Sequence, residues 1–243
     1  MTLPEASRDE LHELLELQKI DSVIDRLHSQ RRNLAEQIEL ERLTELLTDL
    51  ERAIGEQHVV VDEVAGRQSK LDDEIEMLAN KITVEEQKLY AGNIQTPKEL
   101  LALQSEVESL KRRRLGLEDS DLVVMEEREG HEKHLAELEE RAEDLRAQVG
   151  IATAARDTAM GDLKRDLDAD VARREQWAPR IGQELLSYYE QLRTTKGGVA
   201  AAALADGTCE GCHLRLPAQE LKRVRDSTGL VHCDECRRIL VVT

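Results

Sequence analysis

Two long stretches of this chain repeat apolar residues at alternating spacings of three and four, the pattern of a coiled coil. The later stretch runs Leu100, Leu103, Val107, Leu110, Arg114, Leu117, Asp121, Val124, Arg128, His131, Leu135, Leu138, Ala142, Leu145, Val149. Eleven of these fifteen positions are apolar. The earlier stretch runs Leu43, Leu47, Leu50, Ile54, Gln57, Val61, Val64, Gln68, Leu71, Ile75, Leu78, Ile82, Glu85, Leu89. Residues 20–38 are periodic too, but their register slips near Ile38 to Leu43, which predicts a stutter or local unwinding there. Polar residues in the seam, such as Arg114, Asp121, Arg128 and His131, read as devices that fix register.

The prolines agree with this division. They stand at Pro4, Pro97, Pro179 and Pro217, so two very long segments are free of the residue that breaks helices. Between the stretches, Gly92-Asn93 predicts a helix end. Thr96, Pro97 and Glu99 then predict a helix start with a capping box. So short a connection makes the helices antiparallel. An arm of ~80 residues would be roughly 120 Å long. Ala178-Pro179 should break the second arm. Ile181, Leu185, Tyr188 and Leu192 form one last apolar stripe, closed by Gly197-Gly198 as a linker. That stripe is read as a contact surface for another protein; the alternative is packing on Leu11 to Leu17 or on the C-terminal module.

The C-terminal residues change period. Residues 199–204 read as a strand, 209–213 as a knuckle and 217–225 as a short helix. Residues 230–233 and 239–242 read as an antiparallel pair around a second knuckle. The expected fold is mainly α: a long antiparallel coiled-coil hairpin over residues 1–196, with its apex near 90–97, followed by a small β-rich zinc ribbon over 197–243.

Composition supports a rod rather than a ball. The chain has 243 residues, no Phe, and 35% charged residues, against about 25% in ordinary domains. Its net charge of −17 argues against general nucleic-acid binding. The first ten residues are polar and acidic, and the longest apolar run, Val199 to Ala205, is seven residues. The expectation is a cytoplasmic protein with neither signal peptide nor membrane contact.

The sharpest chemistry is Cys209-Glu210-Gly211-Cys212 followed by Cys233-Asp234-Glu235-Cys236. Two C-x-x-C pairs at this separation close a tetrahedron of thiolates, which zinc favours. Four protein ligands leave no open position, so one structural Zn2+ is expected and no catalytic one. Two disulfides would need an oxidising compartment, iron suits the same four sulfurs, and a redox pair normally sits at a helix N-terminus. His213 and His232 flank ligands but are not needed. His131 and His134 share a helix face without a third ligand. The run Lys111-Arg112-Arg113-Arg114 suggests RNA contact, against the plainer reading of a solvated face with Glu partners across the hairpin. No phosphate-binding loop and no nucleophile with an evident base are present, so no enzyme is expected.

Apex and ribbon together resemble a family of bacterial proteins that join a long helical hairpin to a C4-type zinc ribbon. The resemblance rests on Leu89-Tyr90 with Gly92, on Pro97-Lys98-Glu99-Leu100, and on Leu103-Gln104 with Glu106. In the ribbon it rests on Cys209 to His213, Leu216-Pro217, and Cys233 with Cys236-Arg237-Arg238-Ile239-Leu240. Arg237 stands where such ribbons often carry Gly. The resemblance implies an adaptor or chaperone-like regulator working through protein partners. RNA-binding regulation through the ribbon and residues 111–114 is the alternative, and self-association is open.

The uninterrupted arms generate the first prediction: small-angle scattering should give a maximum dimension on the order of 100 Å or more. A globular value would mean that the helices fold back into a bundle.

Overall fold

A computed structural model describes residues 3–91 and 96–242. The expected apex at Gly92-Asn93 lies outside the described residues. The elements are α1 (Arg8–Arg32), α2 (Ala35–Tyr90), α3 (Pro97–Trp177), a 3-10 turn (Ala178–Arg180), α4 (Gln183–Thr195), β1 (Ala201–Ala205), β2 (Thr208–Cys209), α5 (Ala218–Asp226), β3 (Val231–His232) and β4 (Ile239–Val242). Helical hairpin elements followed by a small stranded module are the expected fold class. The chain divides into two compact units: a head formed by Met1–Glu39 with Ala152–Thr243, and a coil formed by Leu40–Ile151. The boundary expected at 196/197 falls inside the head.

In the coil, all fourteen seam positions predicted from Leu43 to Leu89 are buried or half-buried, and so are those from Leu103 to Val149, while Leu100, the first of the second series, is exposed. Only Leu43, Val64, Ile82, Val107, Leu138 and Ala142 are fully buried among the described residues there. A two-helix interface shields one stripe and no more. The polar seam residues bond across it, as their register role predicts. The Gln57 amide donates to the His131 carbonyl at 3.0 Å, and Arg128 donates to the Gln68 side chain at 3.2 Å. Ion pairs Arg146–Glu51 at 2.8 Å, Lys81–Glu106 at 3.5 Å and Arg67–Glu127 line its flanks and run antiparallel. At the start of α3 the Thr96 hydroxyl accepts the Glu99 N–H at 3.3 Å, the expected cap.

The first arm breaks ahead of the register slip near Ile38 to Leu43, and the slip itself lies in continuous helix, without unwinding. Helix α1 ends at Arg32 and α2 runs unbroken through Ile38 to Leu43. Asn33 ends α1: its amide side chain and its N–H both donate to the Ser29 carbonyl, at 3.0 and 3.1 Å. An Asn after two basic residues is a helix stop.

In the head, β1 and β4 pair in parallel at the centre of a four-stranded sheet of order β2-β1-β4-β3. Alternation along these two strands sends side chains to both faces. Ala201, Ala203, Ile239 and Val241 meet Leu14 and Leu17 of α1 and Leu185 and Tyr189 of α4 in one core. Ala202, Leu204 and Leu240 meet the cysteines and Val224 of α5 in the other. The stripe Ile181, Leu185, Tyr188, Leu192 therefore belongs to the interior, and its reading as a partner surface is withdrawn. Leu185 is 1% exposed. The stripe packs on α1, near Leu11 to Leu17, and on the sheet of the C-terminal module, which are the alternative partners named for it.

Buried polar groups bind the head's helices to one another. Asp21 of α1, 1% exposed, accepts the Tyr189 hydroxyl at 2.8 Å and the Arg174 Nε at 2.6 Å. Burial, together with Asp21, raises the Tyr189 hydroxyl far above its ordinary pKa, so it stays a donor. Gln18, three residues earlier, donates to the Gly198 carbonyl at 3.0 Å and accepts the Ala200 N–H at 2.7 Å. Gly197-Gly198 is thus an anchored turn rather than a loose linker. Gly198 has φ +91°, and a Cβ there would stand 2.7 Å from the Asp25 carboxylate.

Replacing Asp21 by Ala would leave Arg174 and the Tyr189 hydroxyl short of a buried partner. We expect Asp21→Ala to destabilise the head by about 3 kcal/mol in urea unfolding. Asp49→Ala, which breaks an exposed pair with Arg52, should cost about 0.5 kcal/mol or less.

Candidate metal centre

The four cysteines reach one point because two loops of identical shape face each other. Asp206-Gly207, with φ of 50° and 77°, forms a tight turn from β1 into β2. The chain then enters the first knuckle at Cys209. The Cys209 N–H donates to the Leu214 carbonyl at 3.0 Å, and the His213 N–H to the Cys209 carbonyl at 2.7 Å. In the second knuckle the Cys233 N–H donates to the Arg238 carbonyl, and the Arg237 N–H to the Cys233 carbonyl, both at 2.9 Å. His213 and Arg237 occupy the same left-handed position, each with φ 61°. That is the place where the resembled ribbons often carry Gly, and the fold holds Arg237 in glycine's conformation.

All four sulfurs lie within 4.8 Å of one another. Cys209 and Cys236 are 3.9 Å apart, as are Cys212 and Cys233. A zinc ion at about 2.3 Å from each of four sulfurs would place neighbouring sulfurs about 3.8 Å apart. A disulfide would bring a pair to about 2.05 Å. The donor set and its spacing therefore fit one structural zinc and not two disulfides. Cys209 and Cys233 are buried, while Cys212 and Cys236 are half-buried. His213 is exposed, and the His232 Nε2 meets the Tyr188 hydroxyl at 2.9 Å, so neither joins the cluster.

Electrostatics within the site are uneven. Burial pushes the Cys209 thiol up to about 12, against backbone N–H groups of Cys212 and Gly211 that aim at its sulfur. Burial also raises Cys233. At Cys236 burial is outweighed by the Arg238 N–H and the neighbouring thiols, so its pKa falls.

The Arg238 side chain turns inward. It donates to the carbonyls of Gly211 at 2.7 Å, Val199 at 2.8 Å and Lys196 at 3.3 Å. A Cβ on Gly211 would stand 2.7 Å from the Arg238 Cδ, so the first knuckle needs Gly where this arginine crosses it. In the run Lys111 to Arg114, Lys111 pairs with Glu86 at 2.5 Å and Arg114 with Glu118 at 3.1 Å. The expected glutamate partner across the hairpin is present for Lys111.

Residues 17–197 match the CT398-like coiled coil hairpin domain. The chain belongs to this family. Residues 208–240 of this CT398-like protein match the C4-type zinc ribbon domain. The uncharacterized protein Rv2229c of Mycobacterium tuberculosis is 25% identical over 230 residues, covering 94% of this chain and 93% of that protein. A solved structure from Mycobacterium smegmatis has a TM-score of 0.88 at 26% identity, covering 99% and 100% of the two chains. CT398 from Chlamydia trachomatis gives 0.75 at 23% identity, covering 97% and 98%. HP0958 from Helicobacter pylori gives 0.54 at 19% identity, covering 98% of each, a likeness of fold.

Metal analysis of the CT398-like chain purified under reducing conditions without chelator should give one zinc per chain. Because buried Cys209 holds its proton in the metal-free form, zinc uptake must release protons. Zinc affinity, followed by chelator competition, should fall as pH is lowered from 8 to 6. A pH-independent affinity, or a stoichiometry near zero, contradicts this.

Proposed function

We propose that this protein is a non-enzymatic, cytoplasmic, zinc-binding adaptor or chaperone-like regulator that acts by contacting other proteins. The observation that carries this reading is the bare apolar surface beside the hairpin apex. Tyr90 is 88% exposed and Leu101 67% exposed. Tyr90, with Leu89, Leu100 and Val107, borders a groove between the two helices of the coil that Glu86, Gln104, Glu108 and Lys111 also line. Large apolar and aromatic side chains left in water are enriched at binding surfaces. The metal centre adds support, since four thiolates complete a tetrahedron and leave zinc a structural task. No described helix is long and apolar enough to cross a membrane.

The RNA-binding reading draws less support. Residues 40–151 carry 15 Lys and Arg against 28 Asp and Glu, a net −13. Such a surface repels phosphate, and Lys111 within it is already engaged.

The test is a native affinity purification of the full chain, with mass spectrometry and RNA sequencing of the eluate. A Tyr90→Ala/Leu101→Ala variant that keeps its helicity and zinc content should lose a specific protein partner. Unchanged partners would refute the apex as the contact surface. Co-purifying RNA that disappears when Lys111 to Arg114 are neutralised, with no protein partner, would replace the adaptor reading.

A further inference from the structure

The two knuckles differ in how one backbone N–H is satisfied. In each, two N–H groups turn toward the first sulfur: those of Gly211 and Cys212 toward Cys209, and those of Glu235 and Cys236 toward Cys233. The N–H of the residue just after the first cysteine donates elsewhere. In the first knuckle that group is Glu210, which donates to the Ala203 carbonyl of β1 at 3.0 Å. In the second it is Asp234, which donates to the Glu220 carboxylate at 3.0 Å.

Glu220 is an unusual residue to bury. It is 8% exposed and lies on α5, on the face that carries buried Val224. Burying a carboxylate is costly unless it is paired and hydrogen-bonded. Its partners are the Asp234 N–H and, at 3.9 Å, the Arg223 guanidinium, which also holds the Asp234 side chain at 2.9 Å.

We propose that Glu220 is the positioning residue of the zinc centre, the side-chain substitute for the strand carbonyl that steadies the first knuckle. By holding the Asp234 N–H it sets the peptide between Cys233 and Cys236. That presents their sulfurs to Cys209 and Cys212 before the metal arrives. Groups that orient metal ligands commonly govern affinity by 10–100-fold.

The test compares full-length Glu220→Ala, Glu220→Gln and Val224→Ala. Zinc affinity is read by competition with a chromophoric chelator, and the geometry of the site by the visible bands of bound Co2+. Glu220→Ala should weaken zinc binding by about 10-fold or more and alter the Co2+ bands. Glu220→Gln, whose amide oxygen can accept the same N–H, should stay within about threefold of the parent. Val224→Ala controls for loss of α5 packing and should leave the Co2+ bands in place.

Parent-like affinity in a folded Glu220→Ala variant would overturn the proposal. So would Gln failing to rescue, or Val224→Ala matching Glu220→Ala in both readouts. The proposal rests on the four cysteines binding zinc. A parent chain that binds none refutes that reading itself, whereas a parent that binds and an unaltered Glu220→Ala refute only the role of Glu220.

Discussion

Parallel pairing of β1 with β4 is the interaction on which the head depends. A strand covered on both faces must be apolar throughout, and Ala201–Ala205 and Ile239–Val242 are. One face takes the helices and the other takes the cysteines, so the sheet makes the metal module and the helical module a single object. The alanines of β1 matter here because short side chains let the layers approach. On its own, a small ribbon has too little apolar surface to fold without metal. Backed by α1 and α4, this ribbon has a second source of stability.

The polar contacts of α1 make the same connection in a different way. Leucines on α1 supply area, which is indifferent to direction. Asp21 and Gln18 supply direction, because each is satisfied only when Tyr189, Arg174, Gly198 and Ala200 stand in one arrangement. Misdocked arrangements leave a buried carboxylate or backbone N–H without a partner, which is expensive. The clamp thus selects among packings that the leucines alone would accept.

How much of this was legible follows from how far each interaction reaches along the chain. The coil's seam was readable at every predicted position but Leu100, because a two-helix interface is described by one periodic stripe. The metal cluster was readable because each knuckle is local and the cysteine spacing encodes it. What escaped was non-local or chemically ordinary. Nothing in a run of alanines announces a parallel partner nearly forty residues away. Asp21 and Gln18 look like any polar residues of a helix until the sheet covers them. The stripe at Ile181 to Leu192 showed that a partner was needed, but not whether it was another protein or α1 and the C-terminal module, because the parallel pairing that brings these together is not written in the stripe. Asn33 carried a stop signal that the periodicity argument passed over.

Sequence separation in the head has a consequence for the order of folding. Leu14 and Leu17 share a core with Ile239 and Val241. Contacts so distant in the chain carry a large loop-closure cost and form slowly. The coil is the opposite case, since its pairs near the apex are separated by few residues and each closed pair shortens the loop for the next. During synthesis at about 5–20 residues per second, the coil can zip from its apex outward while the last strand is still inside the ribosome. Helix α1 can meet α4 and β1 earlier, but its core is not complete until residues 239–242 emerge.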